Sequence, residues 1–188
     1  MLSLAFLLAF LTSPAALAQG RFALELGGEA DFATQDLGPS TLDVGFGSEL
    51  SLHYQIIPTL AAYAGWGYHR FNADGFLPGT DVTAEETGYT FGLLFTYPLG
   101  RTPYSGFLKA GGVYDHIEFE DDGDLLADTD HGLGWLVGGG LVVPLGSGFE
   151  LMPGVQYRML SRDVTIDGVE VETDLSYVAV RVGLRRFL

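Results

Sequence analysis

The sequence contains no cysteine and few basic side chains, with 9 Lys and Arg against 24 Asp and Glu in 188 residues. The absence of cysteine excludes a disulfide framework, a thiolate metal site and a cysteine nucleophile. The net charge of -15 argues against nucleic acid as a partner, because phosphate binding needs clustered Lys and Arg. At 47% hydrophobic residues, however, the chain is too apolar for a disordered acidic tail.

Long hydrophobic runs are also absent. No stretch of 18 consecutive apolar residues follows Ala18, so the sequence predicts no transmembrane helix. The apolar stretch at 4–11 is shorter and leads to Ala16-Leu17-Ala18, an A-x-A site. This pattern predicts a secretory signal peptide over 1–18 and one mature domain over 19–188.

What the mature sequence has instead is a hydrophobic period of two. Apolar and polar or small residues alternate in eight runs, at 22–32, 42–56, 60–71, 87–97, 104–117, 132–143, 149–162 and 173–188. Alternation over such lengths predicts β-strands with two unlike faces. Runs of about ten or more residues suit tilted strands that cross a membrane.

The connections between these runs alternate in length. Those at 57–59, 98–103 and 144–148 are short and rich in Pro and Gly, whereas those at 33–41, 72–86, 118–131 and 163–172 are long and acidic. The Asp167-Gly168 dipeptide in the last one predicts a two-residue hairpin. The layout predicts an all-β fold, an eight-stranded antiparallel up-and-down transmembrane β-barrel with a short-turn end and a long-loop end.

Aromatic residues decide which face of the barrel meets lipid. Those in the apolar phase fall near both strand ends, as expected for girdles at the two interfaces between water and lipid. The predicted girdles are formed by Phe22, Tyr54, Tyr97, Tyr104 and Phe149 at the short-turn end and by Trp66, Tyr89, Trp135 and Tyr157 toward the long-loop end. The apolar face is therefore predicted to point outward.

The opposite phase should line the lumen, and it holds much of the scarce positive charge. It predicts an ion-pair network of Glu25, Glu29, Glu49, Lys109, Asp115, Glu150, Arg158, Arg181 and Arg185. With Arg162 this phase has five acids and five cations, so a neutral lumen filled by side chains is expected rather than an open pore. His53 and His69 share the inward phase, whereas Asp31 and Glu86 are counted among the acids of the loops beyond the long-loop end.

The densest acidic stretch, at 118–130, has two interpretations. One is a solvated loop. The other is a weak Ca²⁺ or Mg²⁺ site formed by Glu120, Asp121, Asp122, Asp124, Asp128 and Asp130, since clustered carboxylates suit hard cations. The stretch lacks the Gly and Glu of an EF-hand loop, and no HExxH pair is present. We therefore expect no resident cofactor beyond such a cation.

Catalysis has little support in the sequence. A hydrolase would need a nucleophile, a base and an orienting group, and the candidates are Ser161 or Ser176, His116 and Asp115. No G-x-S-x-G motif accompanies them. The sequence therefore favours a protein that is not an enzyme.

The final residues carry a family resemblance. Arg181-Val182-Gly183-Leu184-Arg185-Arg186-Phe187-Leu188 resembles the C-terminal strand that outer-membrane barrels present to their assembly machinery, although Arg186 and Leu188 replace the usual aromatics. The whole mature chain resembles the small OmpA/OmpX/opacity-type barrels.

The resemblance implies a place in the cell outer membrane, with outer-membrane lipid and the barrel-assembly machinery as partners, and we expect a monomer. It also implies a structural or adhesion-type envelope role. A narrow ion or small-solute channel, a lipid-modifying enzyme and a soluble lipocalin-like barrel stay open as alternatives.

Overall fold

The computed structural model describes residues 20–35, 41–74, 82–121, 124–166 and 169–188. The predicted signal peptide lies outside these ranges. Within them, no helix is long and apolar enough to cross a bilayer.

The described chain forms ten β-strands, eight long and two short. They are β1 (Phe22–Ala33), β2 (Thr41–Leu42), β3 (Gly45–Ile57), β4 (Leu60–Asp74), β5 (Val82–Pro98), β6 (Ser105–Asp121), β7 (Asp124–Asp128), β8 (Gly132–Gly146), β9 (Phe149–Ile166) and β10 (Val169–Phe187). The two short strands, β2 and β7, pair with β4 and β6 at the long-loop end.

The eight long strands close into a ring. Each pairs antiparallel with two neighbours, in the order β4-β3-β1-β10-β9-β8-β6-β5, and the pairing of β4 with β5 completes the circle. The predicted eight-stranded antiparallel barrel is therefore confirmed. Closure gives each of the eight long strands a hydrogen-bonded neighbour on both sides, so none of them is an edge strand.

Several strands extend into the predicted long connections. β5 begins at Val82 rather than near 87, and β6 continues to Asp121. β9 and β10 remain paired out to Ile166 and Val169, on either side of the predicted Asp167-Gly168 turn, which itself lies outside the described residues. The barrel wall is therefore taller at the long-loop end than the sequence pattern indicated.

The period of two places one phase inside the barrel and the other outside. In β1 the side chains of Glu25, Glu29 and Asp31 are buried, whereas Phe22 and Leu26 are exposed. Inward-facing apolar side chains also form a buried cluster, to which Phe71, Ile117, Leu136, Leu160 and Leu175 belong. The lumen is thus filled by both charged and apolar groups, and the outer surface is apolar.

Candidate functional site

The charged side chains of the lumen meet across the barrel. Glu49 of β3 accepts a hydrogen bond of 2.6 Å from Lys109 Nζ of β6 and one of 3.2 Å from Arg158 Nη2 of β9. β6 and β9 each lie three strands away from β3 around the ring. One carboxylate therefore bridges opposite parts of the wall, and all three side chains are buried.

Arg158 continues the network through its second terminal nitrogen. Its Nη1 donates to Glu86 Oε1 at 2.6 Å, and the Tyr177 hydroxyl donates to Glu86 Oε2 at 2.7 Å. The buried Asp115 side chain also hydrogen-bonds with Glu86. The assignment of Glu86 to a surface connection is therefore wrong, because β5 begins before it and turns it inward.

Arg181 organises the carboxylates of β1. Its Nη2 donates to Glu25 Oε1 at 2.9 Å, and its Nε lies 3.4 Å from Glu29 Oε1. His53 Nε2 lies 3.3 Å from the other oxygen of Glu25. The guanidinium packs over Gly27, where a Cβ would lie 2.9 Å from Arg181 Nη2.

A second histidine pairs with the last inward acid of β1. His69 Nδ1 of β4 lies 2.8 Å from Asp31 Oδ2, and both side chains are fully buried. To reach β1, the imidazole passes over β3 at Gly47, where a Cβ would lie 2.1 Å from Nδ1. The assignment of Asp31 to the surface loops is also wrong, since it lies within β1 and points into the lumen.

The short-turn mouth holds a separate pair. Arg185 Nε and Nη2 both donate to Glu150 Oε2, at 2.8 and 2.6 Å. They help to line a cavity of about 190 Å³ together with Phe187. This pair makes none of the described contacts that link the central network.

All nine residues predicted for the lumen network face inward, but not as one set. Glu25, Glu29, Glu49, Lys109, Arg158 and Arg181 form a connected network, Asp115 joins it through Glu86, and Glu150 and Arg185 stand apart.

The sequence interpretation missed the roles of Asp31, Glu86 and Tyr177. The alternation carried the signal for two of them, since Asp31 is in phase with Glu29 and Glu86 with Gly88. With both acids inside, the described lumen is more acidic than the neutral balance expected, while the Arg162 side chain lies outside the described residues.

The predicted girdle residues all lie on the outer face. Phe22 packs on Tyr54 with ring centroids 5.1 Å apart, and Trp135 packs on Tyr157 at 5.4 Å. Trp66 and Tyr89 are register partners. Tyr97 and Tyr104 are exposed near the β5–β6 turn, and Phe149 at the start of β9 is half-buried under the Arg186 guanidinium.

The acidic stretch is partly ordered by pairing between β6 and β7. Glu120 and Asp121 lie in the β6–β7 ladder, and Asp130 is exposed just before β8, while Asp122 and the Asp124 side chain lie outside what is described. Among the predicted metal ligands whose side chains are described, only Asp128 enters a group close enough to share an ion, with His116 and Glu118. That group differs from the predicted set.

The candidates for a hydrolase do not assemble. Asp115 points into the lumen, whereas its neighbour His116 is on the outer side and lies 3.1 Å from Glu118 Oε1. Ser176 hydrogen-bonds with Thr34 and Gln35. Asp115, His116 and Ser176 therefore form no triad through these contacts.

Solved structures show the same architecture. Neisserial surface protein A matches with a TM-score of 0.63 at 15% identity, over 89% of this chain and 97% of that one. Outer membrane protein AlkL in lipid bilayers matches with a TM-score of 0.59 at 17% identity, over 94% and 95%. E. coli outer membrane protein W matches with a TM-score of 0.57 at 14% identity, over 89% and 98%.

A comparison with curated proteins gives no match. The family model described as an outer membrane protein beta-barrel domain, by contrast, matches residues 2–186, nearly the whole chain. The resemblance read from the strand pattern is confirmed, and with it a location in the outer membrane. The chain belongs to the family of outer membrane protein beta-barrel domains.

Proposed function

We propose that this barrel is a non-enzymatic envelope protein whose lumen is closed by its ion-pair network. The observation that carries the proposal is the Glu49 carboxylate, which is held by Lys109 and Arg158 from opposite parts of the wall. These hydrogen bonds cross the barrel interior, through which a solute would have to pass. The interior of an eight-stranded barrel is just wide enough for side chains.

The energetics favour a permanent closure. Breaking a buried pair by removing one partner costs about 3–5 kcal/mol, because an uncompensated charge is left behind. An opening between β3, β6 and β9 would break the contacts of Glu49 with two cations at once. The apolar cluster around Phe71, Ile117 and Leu160 adds packing that an opening would also disrupt.

Planar-bilayer recording tests the closure. We expect the purified full chain to give no steady conductance above the lipid background, and Arg70→Gln, at the exposed Arg70–Glu85 pair, to behave in the same way. A steady pore in the unaltered protein would contradict the proposal. In that case Lys109→Met should change its conductance, which would support the narrow-channel alternative.

The envelope role is proposed to act through the acidic long-loop end, facing the cell exterior, in a structural or adhesion-type function. Leu125, exposed in β7, and Thr102, in the turn between β5 and β6, lie at opposite ends. A cysteine at Leu125 should react with an impermeant thiol reagent on whole cells, and one at Thr102 should not. The reverse result would invert the orientation.

The remaining expected partners follow from this placement. We propose outer-membrane lipid around the apolar face, the barrel-assembly machinery at β10 during biogenesis, and a monomer in the mature state. The acidic long-loop end is proposed to attract Ca²⁺ or Mg²⁺ only weakly, because the described acids there are largely hydrated. Native mass measurement in detergent tests the monomer, and a dimer mass would refute it.

The enzyme alternative has a direct test as well. Mass spectrometry of outer-membrane lipids from cells with and without the protein should show the same species. A lipid modified only when the protein is present would replace the non-enzymatic proposal.

A further inference from the structure

Two clusters of histidine and carboxylate side chains lie close enough to hold a metal ion within the described part of the chain. One is Glu29, Asp31 and His69 in the lumen, and the other is His116, Glu118 and Asp128 outside it. We infer that the luminal cluster, named here the Glu29–Asp31–His69 site, binds one divalent transition-metal cation such as Zn²⁺.

The first support is a group of buried polar atoms without hydrogen-bond partners among the described residues. Neither oxygen of Glu29 accepts a hydrogen bond from a described residue, and its nearest cation is Arg181 Nε at 3.4 Å. Asp31 Oδ1 and His69 Nε2 likewise have no hydrogen-bond partner among the described residues. All three side chains are more than nine-tenths buried. Carboxylates in such surroundings are normally paired or bound to a metal.

The cations nearest this part of the lumen are shared with other carboxylates. Lys109 and Arg158 are engaged with Glu49 and Glu86. Arg181 makes its hydrogen bond to Glu25. Glu29 therefore shares Arg181 with Glu25 and Glu49, and no described ion pair joins Asp31 to Lys109, Arg158 or Arg181.

The strand register brings the side chains of Glu29, Asp31 and His69 close together before any metal binds. Glu29 and Asp31 are two residues apart on the inward face of β1, so their side chains project the same way. Register places Glu29 opposite Gly47 and Gly47 opposite His69. Because Gly47 has no side chain, the imidazole crosses β3 and meets the carboxylates.

The distances fit a shared ion. The ligand atoms of the three side chains lie within 4.8 Å of one another. Two ligands bonded to one tetrahedral Zn²⁺ at ~2.1 Å lie ~3.4 Å apart, so side-chain rotation must bring the widest pair closer by up to about 1.4 Å. The 2.8 Å between His69 Nδ1 and Asp31 Oδ2 suits either a hydrogen bond or two adjacent ligands of one ion.

The donor set selects the class of metal. One imidazole nitrogen and two carboxylates suit Zn²⁺ and its first-row neighbours. Ca²⁺ prefers six or more oxygen ligands and Mg²⁺ keeps much of its water, so neither fits a buried site with a nitrogen donor.

The outer cluster is the natural competitor. Its Asp128 is exposed and the side chain of Glu118 is 35% exposed, so water already stabilises these charges. It also contains a single histidine, His116. His116→Gln therefore removes that cluster without touching the lumen, and serves as the matched control.

Calorimetric titration of the folded full chain in detergent with Zn²⁺, Ca²⁺ and Mg²⁺ tests the site. The metal is added during refolding in one series and afterwards in another. We expect one Zn²⁺ per chain in His116→Gln, and binding weakened about tenfold or more in Glu29→Gln, Asp31→Asn and His69→Gln. Heat-modifiable migration in gels verifies that each variant has folded.

Three results would overturn the inference. They are no Zn²⁺ binding by the unaltered chain in either series, binding abolished by His116→Gln but kept in the luminal variants, and Ca²⁺ binding as tight as Zn²⁺. If the luminal variants fail to fold, the Co²⁺ absorption spectrum of His116→Gln decides: bands of nitrogen- and oxygen-ligated Co²⁺ support the site, and the spectrum of aqueous Co²⁺ refutes it.

Discussion

At the scale of single residues, the lumen is shaped by side chains that are missing as well as by those that are present. A Cβ at Gly47 would lie 2.1 Å from His69 Nδ1, whereas one at Gly28, on the outer face, would meet nothing within 4 Å. A side chain would therefore clash at position 47 on the inner face but would be accommodated at position 28 on the outer face.

This contrast gives a prediction for alanine substitutions. Gly47→Ala should lower the free energy of unfolding by about 1–3 kcal/mol, because the methyl group displaces the imidazole from Asp31 in a packed interior. Gly28→Ala should be nearly neutral. Urea unfolding in lipid vesicles, followed by tryptophan fluorescence, measures both, and equal effects would contradict the proposed packing.

Glu49 gives the second prediction at this scale. Glu49→Gln removes the charge that Lys109 and Arg158 share, and should cost about 3–5 kcal/mol of stability. Arg70→Gln, at an ion pair in which the arginine is 54% exposed, should cost only about 0–1 kcal/mol. The midpoint temperatures of heat-modifiable migration compare the stabilities of the two variants. A smaller loss of stability in Glu49→Gln would show that Lys109 and Arg158 do not depend on the Glu49 charge.

At the scale of the strand, the alternation of faces determines where a charge is tolerated. Leu50 is 48% exposed on the outer face of β3, midway between Phe46 and Tyr54. Val44 is similarly exposed but lies just before the strand, toward the long-loop end. The two positions differ in depth rather than in exposure.

The depth of each position in the bilayer should therefore determine how strongly an arginine substitution destabilises the barrel. We expect Leu50→Arg to destabilise the barrel by about 2–4 kcal/mol and Val44→Arg by about 0–1 kcal/mol. Refolding into lipid vesicles followed by denaturant titration measures the difference. A similar cost at both positions would mean that Leu50 does not lie near the middle of the bilayer.

The strands also show how far the sequence could predict this fold. The period of two is strong where one face meets lipid, so the eight strands and their inward phases could be predicted. It reverses toward the long-loop end of β5 and β6, where Ile117 and Phe119 are buried and Glu118 between them faces outward. For that reason Glu86 was counted as a loop acid although β5 begins before it, and Asp31 was counted with it because it lies near the end of β1. Which charges pair could not be predicted, because Glu49 meets Lys109 and Arg158 only through the closure of the ring.

At the scale of the whole molecule, the first and last strands of the chain, β1 and β10, pair with each other in the closed ring. Their register places Leu26 opposite Leu184, with both side chains on the outer face. Directly opposed residues of antiparallel strands are near enough for a disulfide, with Cα atoms ~4.5–5.5 Å apart. The natural sequence contains no cysteine that would interfere.

Paired cysteines should therefore report this register. Leu26→Cys with Leu184→Cys should oxidise to an intramolecular disulfide, detectable as a reducible shift in gel mobility of the unfolded chain. Leu26→Cys with Val180→Cys, four residues away along β10, should not, because ~13 Å separates those positions along a strand. Crosslinking of the second pair but not the first would show that the register between β1 and β10 differs from the one described.

The reach of the ion pairs has a consequence for how the barrel assembles. Lys109 and Glu49 are 60 residues apart along the chain, Arg158 and Glu49 are 109 apart, and Arg181 and Glu25 are 156 apart. A half-finished barrel would hold these groups without their partners, at a high cost in a lipid environment. Unpaired lumen charges therefore destabilise a partly formed barrel in the bilayer. Insertion into the bilayer and closure of the wall should accordingly proceed as a single concerted event.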